Sequence, residues 1–306
     1  MAIKDTGDLY FAYGSNLNKQ DLLNWCERNK CKYPFKEEPS FAASLVDYRL
    51  VFNHFSQTRQ GYALNVMKAV GKVVDGIVFK VDGEDGWNTI DKKEGAPRHY
   101  CRVPVVVIDK DTNELVKAFT YLSNRPDTPD IIKNKKKKMG QSEGYYRLVR
   151  EGYQAHGLQT GILDEVNRGE VHPTFTDTVF VYGTLMSGKS RFGIVKNRRL
   201  VSISAGEIFG RLIDLGSYPG LVDIYSDSFK VQGELVAYDN DIAALLKELD
   251  QVEGFYGMDS EGSLYYRVPV KVYLKDKQTK VAWTYLYANP PLDADYIICG
   301  RWVEKG

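Results

Sequence analysis

Two glutamates in this chain stand in the same setting. They read Asp91-Lys92-Lys93-Glu94-Gly95 and Asp250-Gln251-Val252-Glu253-Gly254. A carboxylate at the C-terminal end of a helix meets the negative end of the macrodipole, and burial there raises its pKa toward a value suited to acid/base work. A single Glu at a helix end is ordinarily a surface residue, so it is the recurrence that makes these two candidate catalysts. Each follows an apolar run that breaks at a glycine, first Leu9-Tyr10-Phe11-Ala12-Tyr13-Gly14-Ser15-Asn16-Leu17 and later Val179-Phe180-Val181-Tyr182-Gly183-Thr184-Leu185. A turn such as Gly14-Ser15-Asn16 presents backbone N–H groups with little side-chain obstruction, suited to a carboxylate or a developing oxyanion. A plain strand-ending turn is the alternative. After each Glu comes Tyr-x-Arg-Val-Pro-Val, Tyr100 to Val105 and Tyr265 to Val270. Tyr100 and Tyr265 begin strands, where they either meet a substrate or fill a wall. Three blocks in one order, twice, make an internal repeat.

No other catalytic set competes. His54, His99, His156 and His172 do not recur between the halves, and no Ser or Cys nucleophile has a matching base in both. Gly183 to Ser190 formally fits the Gly-x4-Gly-Lys-Ser phosphate loop, but the first half lacks the second Gly and the alternating strands and helices of that fold are missing. Cys26, Cys31, Cys101 and Cys299 show no paired metal spacing and are too sparse for a disulfide framework. No metal or cofactor is expected. Lys+Arg 41 against Asp+Glu 40 leaves a formal charge of +1, so no global field argues for nucleic acid or a membrane surface. With no apolar signal core at the N-terminus and no membrane-length apolar window, a cytoplasmic location is expected.

The elements that must position these residues follow from periodicity. Strands are predicted over Leu9 to Tyr13, within Phe41 to Phe52, over Tyr62 to Val66 and over Val73 to Val81. Trp87, Ile90 and Glu94 share one face of a short helix stopped by Gly95. Val103 to Ile108 and Ala118 to Leu122 complete a first β-rich unit, and Tyr145 to Gln154 forms a further helix. The polar stretch Ser123 to Gly144, with its Lys133 to Lys138 run, is expected to be a solvated loop. Leu158 to Thr178 lacks convincing periodicity. The expected partition is therefore 1–160, a linker at 161–177, and 178–306. In the second unit Asp241 caps a helix whose apolar stripe is Ile242, Leu245, Leu246, Leu249 and Val252, with Glu253 at its end. Strands are predicted over Glu207 to Asp214, Gln232 to Tyr238, Arg267 to Leu274 and Ala282 to Ala288. The order of strands, one helix, then strands predicts an α+β class with a mixed sheet or small barrel in each half.

These residues carry a family resemblance. The first half resembles the γ-glutamylcyclotransferases in Tyr13 to Leu17, in Ile90 to Gly95, and in Tyr145 ahead of Gly152 and Gly157-Leu158. The second half is similar to the γ-glutamylamine cyclotransferase branch in Phe180 to Leu185, Tyr218-Pro219-Gly220, Leu249 to Glu253 and Leu264-Tyr265-Tyr266-Arg267. The resemblance spans roughly residues 9–158 and 179–303. It implies two tandem small mixed β-barrels with flanking helices, and a cofactor-free reaction on a small-molecule γ-glutamyl substrate. In that reaction the α-amine attacks the γ-carbonyl and releases 5-oxoproline with a free amine or amino acid. It also implies that Glu94 and Glu253 move the proton, and that the N–H groups of Gly14, Ser15, Asn16 and Leu17, or of Gly183, Thr184 and Leu185, hold the substrate's carboxylate or carbonyl oxygen. Tyr13, Tyr100 and Tyr145 would line the first pocket; Tyr182, Tyr218 and Tyr265 would line the second. Thr184-Leu185 stands where the first half has Ser15-Asn16, so the pockets should differ in specificity. A non-catalytic binding module and a γ-glutamyl acyltransferase remain open alternatives.

Overall fold

The run Leu9–Ala12 forms strand β1 and is buried throughout. It pairs antiparallel with β3 (Gly61–Lys80) and parallel with β5 (Leu115–Ser123). Adding β2 (Phe41–Ser56) and β4 (Tyr100–Asp109) closes a five-stranded barrel in the order β1-β3-β2-β4-β5. Phe11, Ala12 and Val107 are fully enclosed in its core. Closure removes the unpaired edges of so short a sheet, which explains why a four-residue strand suffices at its centre.

The computed structural model describes residues 7–57, 60–112, 114–128, 143–168, 175–222, 228–239, 242–258 and 260–304. The chain divides into two units at Pro173–Thr174. In the first, helix α1 (Lys19–Asn29) follows the turn after β1, and α2 (Gly83–Glu94) bridges β3 and β4. Helix α3 (Glu143–Ala155) and helix α4 (Gly161–Arg168) complete the unit. Helix α4 corrects the expectation of a linker beginning at residue 161. Leu163 and Val166 are buried in the core of the first unit, and two apolar anchors in eight residues were too few to reveal a helical period.

A second correction concerns β3. The sequence suggests two strands, but one 20-residue strand runs through both, paired with the 16-residue β2. The register shifts between Val46 and Tyr48, where Asp47 takes φ 63° and its Oδ1 accepts from the N–H of Gly71 at 2.9 Å. Such a bulge bends a hairpin. The portion before it closes the barrel, and the portion beyond carries Leu64 toward the site.

The second unit repeats the topology. Strand β6 (Thr178–Val181) pairs antiparallel with β10 (Lys230–Tyr238) and parallel with β12 (Thr279–Tyr287). With β7 (Leu200–Phe209) and β11 (Tyr265–Leu274) the order is β10-β6-β12-β11-β7, again closed. In place of the long bent hairpin it has a separate pair, β8 (Arg211–Asp214) and β9 (Pro219–Val222). Its helices are α5 (Phe192–Lys196) and α6 (Ile242–Val252). The expected cap at Asp241 and the Lys133 to Lys138 run lie outside the described residues.

One close approach is common to both barrels. A Cβ added to Gly76 would lie 2.4 Å from the carbonyl oxygen of Ala12, and one added to Gly233 would lie 2.4 Å from that of Val181. Glycine therefore lets β3 and β10 press against the last residue of β1 and β6, immediately before the turn that follows.

Candidate active site

In the first unit β1 runs through Tyr13 into the turn Ser15–Leu17, where the N–H of Leu17 donates to the carbonyl of Gly14 at 3.0 Å. The N–H groups of Gly14, Ser15 and Asn16 stand at the start of this turn, where the turn itself supplies no acceptor. Leu17 departs from the expectation. Its N–H is committed to Gly14 and its side chain is 1% exposed in the core, so it anchors the turn instead of lining the cleft. The second unit forms the same turn, with the N–H of Met186 donating to Gly183 at 3.0 Å. That leaves Gly183, Thr184 and Leu185 in the equivalent places.

Each Glu reaches its pocket from the end of a helix. Gly95 and Gly254 take φ 62° and 61°, the left-handed geometry that stops a helix. The next residues close the cap, with Ala96 N–H donating to Asp91 at 2.9 Å and Phe255 N–H donating to Asp250 at 2.8 Å. Glu94 then lines a cleft of about 1100 Å³ together with Tyr13, Gly14, Ser15, Asn16, Tyr100 and Tyr145. Glu253 lines a smaller cavity of about 140 Å³ with Tyr182, Gly183, Thr184, Leu185, Tyr218 and Tyr265.

The two carboxylates sit in different surroundings. Asn16 Nδ2 donates to Glu94 Oε1 at 2.7 Å and to the Tyr10 hydroxyl at 2.9 Å, while its own Oδ1 is buried with no partner among the described residues. In the second unit the repeat places Leu185 where Asn16 stands and Val179 where Tyr10 stands, so this polar pair is replaced by apolar side chains. Burial raises the Glu253 pKa to about 7, offset in part by the Arg191 guanidinium. Lacking the amide donor, the ionised form of Glu253 loses a stabilising partner that Glu94 keeps.

The tyrosines act as protonated braces. Burial holds the pKa of Tyr13 and Tyr182 well above the ordinary phenol value, with neighbouring Tyr100 and Tyr265 adding to it and Glu94 and Glu253 next. Tyr13 donates to the carbonyl of Tyr121 at 2.6 Å and Tyr182 to that of Tyr285 at 2.7 Å. Tyr100 donates to Leu64 O at 3.1 Å, and Tyr265 to Pro219 O at 3.0 Å. The Tyr145 hydroxyl accepts from Leu64 N–H at 3.2 Å, so the far part of the β2–β3 hairpin is held by two phenols.

Sequence reasoning missed a fourth repeated block, Ala118-Phe119-Thr120-Tyr121-Leu122 against Ala282-Trp283-Thr284-Tyr285-Leu286. Thr120 donates to Phe11 O and Thr284 to Phe180 O, both at 2.9 Å. Tyr121 and Tyr285 line the two pockets. The matching Thr-Tyr-Leu was the available signal. The phosphate-loop alternative is weakened: two carboxylates occupy the loop, Glu234 accepting from Ser187 N–H at 2.7 Å and Glu304 from the Ser190 hydroxyl at 2.5 Å. Among the described residues no group of His, Cys, Asp or Glu is placed to hold a metal, and no helix is long and apolar enough to cross a membrane.

Each unit thus sets a glycine turn and a helix-end Glu in one pocket of a closed five-stranded mixed barrel, an arrangement this chain carries twice. The family model described as gamma-glutamyl cyclotransferase, AIG2-like, matches residues 10–148 and again 179–304, and the chain belongs to that family. It is 32% identical over 114 residues to the gamma-L-glutamyl-butirosin B gamma-glutamyl cyclotransferase of Niallia circulans, covering 37% of this chain and 68% of that protein. It is 28% identical over 127 residues to a Vibrio cholerae protein described as a gamma-glutamylcyclotransferase, covering 42% and 96%. A solved gamma-glutamyl cyclotransferase structure aligns with TM-score 0.39 at 23% identity, over 52% of this chain and 86% of that one.

Proposed function

We propose that each unit is a cofactor-free γ-glutamyl cyclotransferase, with Glu94 and Glu253 as the general acid/base groups. The observation that carries this reading is the repeated pairing, in one pocket, of a helix-end carboxylate with a turn of backbone donors. The substrate's α-ammonium gives a proton to the Glu carboxylate, and the freed amine attacks the γ-carbonyl carbon. A bond forms between the α-nitrogen and Cγ while the bond from Cγ to the leaving nitrogen breaks. The Glu returns its proton to that nitrogen. It then carries across the second proton, which the attacking nitrogen sheds as the lactam forms, so 5-oxoproline and the protonated amine leave and the enzyme is restored. Closing a five-membered ring needs mainly orientation, which a rigid barrel mouth supplies.

Site residues divide accordingly. The N–H groups of Gly14, Ser15 and Asn16, and of Gly183, Thr184 and Leu185, hold the carbonyl oxygen or the α-carboxylate. A carboxyl with pKa about 7 is half-ionised near neutral pH, which suits a group that must both accept and return a proton. The cavity volumes support different leaving groups for the two units, a bulkier one for the first.

The test is 5-oxoproline release from a panel of γ-glutamyl amino acids and γ-glutamylamines by the wild type, Glu94→Gln, Glu253→Gln and the double variant. Two separate enzymes predict that each single change removes a different part of the profile and that the double variant is inert. Saturable binding without any 5-oxoproline release by the wild type would replace this reading with that of a binding module.

A further inference from the structure

The Asp of each Asp-x-x-Glu and the Arg of each Tyr-x-Arg recur with the catalytic candidates yet have no part in the proton transfers. Both converge on the tyrosine of the fourth repeated block. In the first unit Tyr121 donates from its hydroxyl to Asp91 Oδ1 at 2.5 Å, and Arg102 Nη2 lies 3.7 Å from Asp91 Oδ2. In the second, Tyr285 donates to Asp250 Oδ1 at 2.7 Å, and Arg267 grips the same carboxylate with Nε at 2.8 Å and Nη2 at 3.2 Å. Arg267 has no exposed surface and lies between the Phe255 and Trp283 rings, 5.2 and 5.0 Å from their centroids.

The same two tyrosines also receive the hydroxyl of the turn tyrosine on their backbone carbonyl, from Tyr13 and from Tyr182. One residue of the barrel wall therefore ties the donor turn through its carbonyl and the helix end through its side chain. Asp91 and Asp250 are themselves the cap acceptors that close the helix one turn before the Glu. We infer that Tyr121 and Tyr285 are positioning residues, each holding the helix end through an Asp–Arg pair so that the Glu carboxylate faces the turn. This assigns a purpose to the Arg in Tyr-x-Arg and to the recurrence of Asp three residues before each Glu. The inference rests on the cyclotransferase reading only for its effect on turnover. Its geometric claim stands apart from it.

The test uses the full chain. Tyr285→Phe keeps the ring and removes one hydroxyl. The Glu253 carboxyl is followed by carbon-13 NMR titration, with Glu253→Gln assigning the signal and the wild-type midpoint expected near 7. Loss of the tie lets the helix end swing outward and hydrates the carboxyl, so the midpoint falls by at least one unit while the melting temperature stays close to wild type. A midpoint unchanged in Tyr285→Phe overturns the inference, whatever the activity. Turnover supplies a second arm, measured for the first unit in a Glu253→Gln background. Tyr121→Phe and Asp91→Asn should each lower kcat about tenfold with KM within twofold, and the double variant should be no worse than either alone. Additive losses, or a loss confined to KM, refute a shared positioning role. If the wild type releases no 5-oxoproline, the cyclotransferase reading falls and the titration still decides the geometry.

Discussion

Replacing Glu253 with Gln should remove activity from the second unit and stabilise it. Burial raises the Glu253 pKa from 4.5 to about 7, so the folded state binds this proton more tightly than the unfolded chain does. For a raised carboxyl the stabilising contribution is complete below pH 4.5 and is lost as the pH rises through 7. At about 1.4 kcal/mol per pH unit, ionising Glu253 in place costs the second unit on the order of 3 kcal/mol by pH 8. Gln keeps the shape without the charge, so the variant should gain about 2–3 kcal/mol at pH 8 and almost nothing at pH 4.5. For a unit of this size that is a rise of about 10 °C in melting temperature. The assay is calorimetry of the full chain from pH 4.5 to 8.5, the second-unit transition being identified by hydrogen exchange of peptides from β10 to β12. A Gln variant that melts with the wild-type pH dependence, or that is destabilised at pH 8, would refute the reasoning that desolvation of this carboxylate governs its titration.

Leu185→Asn restores to the second unit the amide donor of the first, and one charge-assisted hydrogen bond of ~1.5–3 kcal/mol should move the acid limb of its kcat/KM profile about one unit below 7; an unmoved limb counts against the Asn–Glu contrast. Asp250→Asn leaves the fully buried Arg267 without its charged partner and should cost about 3–5 kcal/mol in urea denaturation. Asp91→Asn breaks a partly exposed pair at 3.7 Å and weakens the Tyr121 hydrogen bond by removing its charge, and a smaller loss of ~1–2 kcal/mol is expected; equal losses for the two Asp variants would contradict this account. Gly76→Ala and Gly233→Ala each force a methyl to within 2.4 Å of a carbonyl oxygen, and both should lower stability by about 2–3 kcal/mol in thermal melts.

The parts legible from sequence were those that satisfy local rules. The strand ending at Tyr13-Gly14, the helix stopped by Gly95 and the apolar stripe of Ile242 to Val252 each show their own period and punctuation, and the structure has all three. The long β2–β3 hairpin was hidden because its bend comes from a positive φ at Asp47, a residue type that does not announce a bulge. Helix α4 was hidden because it buries only Leu163 and Val166. Within the candidate site, Tyr13, Tyr100 and the two glutamates stood out by recurrence. Tyr121 and Tyr285 recur equally well but sit inside apolar strands, where a Tyr passes for core. Leu17 was assigned to the cleft because it follows the turn, and the committed N–H that turns it inward follows from the geometry of the turn itself.

The braces around both sites share a property with practical reach. Tyr13, Tyr100, Thr120, Tyr182, Tyr265 and Thr284 all donate to main-chain oxygens. Every amino acid carries such an oxygen, so the scaffold does not depend on what side chain stands at the accepting position. Leu64 and Pro219 serve alike under Tyr100 and Tyr265, although one lies in a long hairpin and the other opens a short strand. These main-chain ties therefore leave a lining residue such as Leu185 free to vary, while the side-chain tie of Tyr121 and Tyr285 to the Asp–Arg pairs does not. That makes the chain a platform for grafting: placing Asn at position 185, which lines the second pocket, alters chemistry in one unit while the other serves as a reference within the same molecule.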